Sequence, residues 1–355
     1  MAARNSILSS ALLFVMSACS GNTGSPSAPG ASSTASPHAG SSASSMARWQ
    51  QWVHLEGVFD LGGVMPDGAL VTAASDRLFS VAPSSAVAPY ASGTGGYRAN
   101  AGGETYIAAS PELELPDADC SFTRGEIFAL QLGAPLGVVR VDVAGRSRLF
   151  ARLPAGQTLN GIVFDDVGKF GHRLLVTGGR QGKTAVFGID CRGGVRTVTQ
   201  SAPPVEGGLA VAPDGFGAFA GFLVAPDENS GNVIAISPSG EASVLVASGV
   251  AHGGDIGVES AGFVPRGFAR GGAAYVADRG TANNPHPGND SILRVDAASL
   301  IAAGVREGDL LIASEGGAVT VSVRCASSCT VRQVAVGPSN AHVEGHLIAL
   351  PGSGG

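Results

Sequence analysis

Short runs of alternating apolar and polar residues recur along most of the chain: RLLVTG, TAVFGI, VRTVTQ, GFLVAP, NVIAIS and SVLVAS. Each is rich in Val, Ile, Leu, Phe or Thr and is bounded by Gly, Pro, Asp or Asn. Alternation with a period of two places successive side chains on opposite faces of a strand, and the bounding residues are those that turns require. The pattern predicts an all-β protein. Long helical periodicity is missing, and DAASLIAAGV, from Asp296, is the one tempting helix, of one or two turns.

The runs also repeat. NGIVFDDVGKFGHRLLVTGG, EGGLAVAPDGFGAFAGFLVAPDE and HGGDIGVESAGFVPRGFARGGAAYVADRG start 46 residues apart, at Asn160, Glu206 and His252. Each opens on a polar residue near a glycine, continues as an apolar strand, turns through Gly and Phe, and ends in a second strand. Two further strands complete the first two units, as GNVIAISPSGEASVLVAS shows with its SPSGE turn. Earlier units are less regular: one opens at Glu56, and a second, from RANAGGETYIAAS, is interrupted by PELELPDADCSFTRG. Four strands in about 40 to 50 residues is the period of a propeller blade, and the length from Trp49 to Leu350 holds about six. The expected fold is a β-propeller of six four-stranded blades over residues 46–351, its ring closed by the C-terminal strand AHVEGHLIAL.

Upstream, MAARNSILSSALLFVMSAC carries Arg4 and then an apolar run from Ile7 to Met16, too short to span a bilayer as a mature helix. This reads as an export signal over residues 1–19. Its end, MSAC, resembles the lipobox of bacterial lipoproteins, which implies acylation at Cys19. Residues 20–45 are almost wholly Ser, Gly, Ala, Pro and Thr, with too little apolar side chain to support ordering, so they are expected to form a disordered tether. The expected location is the bacterial cell envelope, with the membrane engaged through N-terminal lipid only. Cys120, Cys191, Cys325 and Cys329 remain, an even set suited to an oxidising compartment. CASSC suggests a Cys325–Cys329 staple across a tight turn, Cys120 and Cys191 either pair or stay buried, and a four-cysteine zinc site is the rival. A net charge of −6 argues against a nucleic-acid partner.

Innermost strands line a propeller's channel, so the polar residues that open the units converge near one mouth. The candidate metal-binding set is Glu56, Asn160, Glu206, Asp255 and Glu344, with His252 and His346 as candidate catalytic bases. His342, Glu344 and His346 alternate, which places them on one strand face. Carboxylate and amide oxygens suit Ca²⁺ or Mg²⁺, and added imidazole moves the preference toward Zn²⁺. The alternative is that these groups bond only to strand ends and channel water. DENSGN, from Asp227, mimics part of a calcium loop but lacks its distal Glu and reads better as a hairpin turn. DRGTANNPHPGND, from Asp278, is a long insertion that either covers a site or forms a surface loop, with Arg279 and His286 its notable members. No GxSxG elbow, Walker A loop or strand-to-helix GxGxxG fingerprint occurs.

At Glu56-Gly57 and at LNGIVFD around Asn160, the chain resembles the six-bladed NHL-repeat and SMP-30/gluconolactonase-like propellers. The resemblance implies a divalent ion at the channel, held by an early-blade Glu, Asn side chains and an Asp. The chain departs from that pattern at Glu206, where a second Asn is expected, and at HGGD. EGH, at Glu344 to His346, is similar to the Glu and His that streptogramin lyases use near Mg²⁺. Two function classes follow. The first is a monomeric, lipid-anchored binding propeller that takes a small molecule or an envelope protein at its channel mouth, around a divalent metal. The second is a metal-dependent hydrolase or lyase of the lactonase kind.

Overall fold

The computed structural model describes residues 46–352. The expected signal segment and tether, with Cys19, lie outside the described residues. Six sheets of four or five strands form a six-bladed propeller. From the channel outward, blade I is Val58–Val64, Leu70–Ala74, Arg77–Val81 and Val87–Tyr90. Blade II is Ile107–Ala109, Ile127–Gln131, Gly137–Val141 and Ser147–Arg152, and blade III is Thr158–Phe164, Leu174–Arg180, Lys183–Ile189 and Val195–Ala202. Blade IV is Ala210–Val211, Leu223–Asp227, Asn232–Ile236 and Ala242–Ala247. Each is an antiparallel meander, as the alternation and turn residues dictate.

Blades V and VI depart from the simple repeat. The inner strand of blade V, Val258–Phe263, pairs with Leu310–Ser314, and Thr320–Cys325 and Cys329–Val336 follow outward. The strands between them in sequence, Ala273–Asp278 and Ser291–Asp296, belong to blade VI. The unit that opens at His252 is therefore split between two blades, and its second strand does not pair with its first. The helix Ala297–Ala302 carries the chain back; Leu300 is buried with Trp49, Val264, Phe268 and Val305 in a core that both blades share.

Both termini close the ring. Val343–Leu350 is the inner strand of blade VI, paired with Ala273–Asp278, and Gln50–His54 is its outer strand. Ala47–Arg48 adds a parallel fifth strand to blade V, locked by a hydrogen bond from the Trp49 indole to Thr320 Oγ1 (2.8 Å). Covered edges remove unpaired backbone donors and acceptors. Elsewhere blades cohere through apolar faces: Phe164 of blade III makes edge-to-face contacts with Phe128 of blade II and with Phe122 of the segment inserted into it.

The interruption in blade II is a small hairpin, Leu113–Leu115 with Cys120–Phe122, and Cys120 is disulfide-bonded to Cys191 in blade III. Cys325 and Cys329 are bonded across the hairpin turn of blade V. All four cysteines are thereby used, which removes the zinc alternative.

Candidate metal centre at the channel mouth

The inner strands run the same way round the channel, so residues at their N-terminal ends gather at one mouth. Glu104 precedes the inner strand of blade II, Glu206 that of blade IV, and Glu259 and Glu344 stand in the first two residues of theirs in blades V and VI. Glu315 follows Leu310–Ser314 and is fixed by a hydrogen bond from its own N–H to the Gly257 carbonyl (2.7 Å). His342 is held by its N–H on Asp278 Oδ1 (2.8 Å) and by its carbonyl, which accepts from Arg279 N–H (2.8 Å).

The geometry is tightest at Glu315, His342 and Glu344. His342 Nε2 lies 3.1 Å from Glu315 Oε1 and 3.3 Å from Glu344 Oε1, and one donor atom from each residue falls within 4.8 Å of the others. All three side chains are buried. Glu315 Oε2 and His342 Nδ1 have no hydrogen-bond partner, an uncommon state for buried polar atoms unless a ligand or water completes them. Adjacent donors around an ion with ligand distances of about 2.0–2.2 Å stand about 3.0–3.4 Å apart, so the spacing of His342 from both carboxylates fits a small divalent ion.

Electrostatics point the same way. Burial and the charges of Glu344, Glu228, Asp255 and Glu104 push the Glu315 carboxyl up to about 9. Burial, with Glu104, Glu228 and Glu344 nearby, raises Glu206 to about 7. Glu104 and Glu228 are also raised, mainly by burial. Beneath them Glu259, fully enclosed, is pushed well above its ordinary value while accepting a hydrogen bond from Tyr106 Oη (2.9 Å). Against these carboxylates stands Arg279, whose Nη1 meets Glu104 Oε1 (2.9 Å) and Glu344 Oε1 (3.0 Å), its guanidinium 5.2 Å from the Phe59 ring centroid. The mouth gathers more carboxyl groups than cationic side chains, and a cation that lets them ionise is favoured there.

The sequence-predicted residues separate into three groups. Glu344 belongs to the buried triad, and Glu206 lies in the same mouth. Asn160 is spent on structure: its Oδ1 accepts from Thr177 Oγ1 (3.0 Å) and its Nδ2 donates to the Val205 carbonyl (2.7 Å). Glu56 is exposed, with only its backbone carbonyl engaged, by Ser75 Oγ. Asp255 and His252 are exposed at the rim; Asp255 meets the mouth through its N–H on Glu228 Oε2 (3.4 Å), and His252 rests beside Gly231. The metal set Glu56, Asn160, Glu206, Asp255 and Glu344 is thus not one coordination sphere.

His346 is no free base. Its Nε2 donates to the Ile162 carbonyl (2.7 Å) and its Nδ1 lies 2.9 Å from Asp60 Oδ1. Two acceptors on two ring nitrogens require an imidazolium; burial opposes that charge, but Asp60 and the carbonyl raise the group above its ordinary value. The strand alternation is interrupted at Gly345 (φ +69°), where the register with Tyr275 and Ala277 shifts. His346 consequently ties blades I, III and VI together across the channel while His342 and Glu344 face Glu315.

The residues that sequence reasoning missed are Glu104, Glu228, Glu259 and Glu315. Glu315 had a signal: SEGG repeats the Glu-Gly pair of Glu56, Glu206 and Glu344. Arg279 reaches the centre from the insertion, and His286 packs against Gly316 with its Nδ1 donating to the Ser339 carbonyl (2.8 Å), so this loop is built into the mouth. DENSGN is a hairpin turn capped by Asp227, which accepts from Asn229 N–H (3.2 Å).

The fold and site together define a six-bladed β-propeller with an acidic channel mouth. No family model and no curated protein matches the chain. Solved structures similar to it include virginiamycin B lyase from Staphylococcus aureus (11% identity over 81% of this chain and 73% of that one, TM-score 0.42). A regucalcin from Agrobacterium tumefaciens, described as a calcium-binding protein, shows 12% identity over 82% and 78% of the two chains (TM-score 0.44). A gluconolactonase from Xanthomonas campestris shows 11% identity over 84% and 85% (TM-score 0.45).

Proposed function

We propose that this protein is an envelope-located, lipid-anchored binding propeller that holds a divalent cation at Glu315, His342 and Glu344 and a ligand against it. The observation that carries this reading is the buried triad itself: three donors from two blades converge, with His342 Nε2 facing both carboxylates, and Glu315 Oε2 has no partner. One imidazole with two carboxylates suits Zn²⁺ or Mn²⁺ better than the all-oxygen preference of Ca²⁺ and Mg²⁺. Arg279 then orients Glu344 and Glu104, and the export signal and tether support access from outside the cytoplasm.

Elemental analysis of the purified protein, with melting curves in the presence and absence of EDTA, tests it. One ion per chain, a lower Tm in EDTA, and loss of both effects in Glu315→Gln and His342→Gln are expected. Metal-free protein whose Tm ignores EDTA and added Zn²⁺ or Mn²⁺ overturns it.

A second reading, metal-dependent hydrolysis or elimination, is favoured by one observation: Glu206, raised to about 7, exchanges protons readily at neutral pH beside the triad. The bound cation would supply Lewis-acid polarisation of a carbonyl or leaving oxygen. Turnover in a lactone and ester screen, lost in Glu206→Gln with the ion retained, would establish it; an inactive screen leaves the protein a binder.

A further inference from the structure

A cleft of about 380 Å³ opens off the acidic mouth between blades III and IV. It is lined by two hairpin tips, Arg180 to Lys183 of blade III and Asp227 to Asn229 of blade IV, together with Asn160 and Val205. Its charges are distributed unequally. Glu206 and Glu228 stand where the cleft meets the mouth, and Arg180 and Lys183 stand on the blade III tip. None of the four makes an ion pair with a described residue. Glu206 accepts no hydrogen bond at its carboxylate, and Glu228 receives only the Asn229 amide and the Asp255 N–H.

The mouth's own positive groups are committed elsewhere. Arg279 serves Glu104 and Glu344, and the cation assigned above serves Glu315, His342 and Glu344. That leaves Glu206 and Glu228 as the carboxyls on the mouth side of the cleft without a cationic partner. A second metal does not answer them, because among the described residues only the Glu315, His342 and Glu344 group brings three donors together. A neutral polyol would satisfy the amides of the cleft and leave both charged ends unmatched. A ligand with positive charge at one end and negative at the other matches both.

We infer that this cleft seats a dipolar, amine-bearing small molecule of amino-acid to dipeptide size, with its ammonium at Glu206 and Glu228 and its acidic group at Arg180 and Lys183. For its charge count the inference rests on the cation reading of the mouth. A volume of this order holds about a dozen waters' worth of ligand, at about 30 Å³ each, which sets the size class. Such a seat sets the ligand's ammonium end toward the mouth and its acidic end toward the blade III tip.

The probes are glycylglycine, its N-acetyl form and its amide, titrated calorimetrically into the purified full-length protein whose ion content is measured in the same sample. The zwitterion is expected to bind, with each blocked form weaker by about tenfold, the equivalent of one lost charge contact. Glu206→Gln should remove the penalty of N-acetylation and leave that of amidation, and Arg180→Ala with Lys183→Ala should do the reverse. Equal binding of all three probes, or no binding of the zwitterion, overturns the inference. One ion per chain without zwitterion binding sinks the cleft assignment and leaves the cation reading standing. Zwitterion binding without an ion supports the cleft and overturns the cation reading.

Discussion

Glu315 offers the sharpest test of the mouth, because its carboxyl, pushed up to about 9 by burial and four neighbouring acids, is protonated at neutral pH when no cation is present. A metal ligand must be ionised, so the ion has to displace that proton. At about pH 7 the group sits about two units below its titration point, which costs about 3 kcal/mol, or about a hundredfold in apparent affinity. Titration of Mn²⁺ into the metal-free protein at pH values between about 7 and 8.5 should show affinity rising about tenfold per unit. Repeating the titration in two buffers of different ionisation heat should report about one proton released per ion. Glu315→Gln, which deletes a ligand, should show neither ion binding nor proton release. The stability of the metal-free protein has the opposite trend: the folded state binds the Glu315 and Glu206 protons more tightly than the unfolded chain does. Their contribution to stability is therefore fully present below the ordinary carboxylate value and is lost as pH rises toward about 7 for Glu206 and about 9 for Glu315. Affinity independent of pH, with no proton released, would refute the argument.

Asp60→Asn leaves the His346 imidazolium without its counter-charge in the middle of the channel; a loss of about 3–5 kcal/mol in urea unfolding is expected, with cation stoichiometry unchanged. Trp49→Ala removes the buried indole that pins the N-terminal strands to blade V, for an expected cost of about 3–5 kcal/mol by the same assay. The Cys120–Cys191 bond closes 71 residues and the Cys325–Cys329 bond only 4, so loop-closure entropy predicts a loss of about 4 kcal/mol for the double Cys→Ser replacement of the first and about 2 for the second. Equal losses in the two replacements would count against the entropic account.

Period-two alternation, turn residues and the 46-residue spacing were enough to specify strands, blades and a closed ring, because these depend on local conformation and on which strand face is apolar. The same local logic placed Glu206 and Glu344 at one mouth, since inner strands of one direction bring their first residues together. It failed for Glu56 and Asp255, whose positions in the repeat were right but whose carboxylates remain outside in solvent. It also failed for Asn160 and His346, because hydrogen bonds to Thr177, Val205, Asp60 and Ile162 absorb them, and those partners lie in other strands or, for Val205, in the loop between blades III and IV. Only the tertiary structure could exchange strands between blades V and VI, set Glu315 against His342, and bring Arg279 in from its loop. Such juxtapositions depend on long-range packing and on the field of several buried carboxylates at once. Neither leaves a periodic trace along the chain.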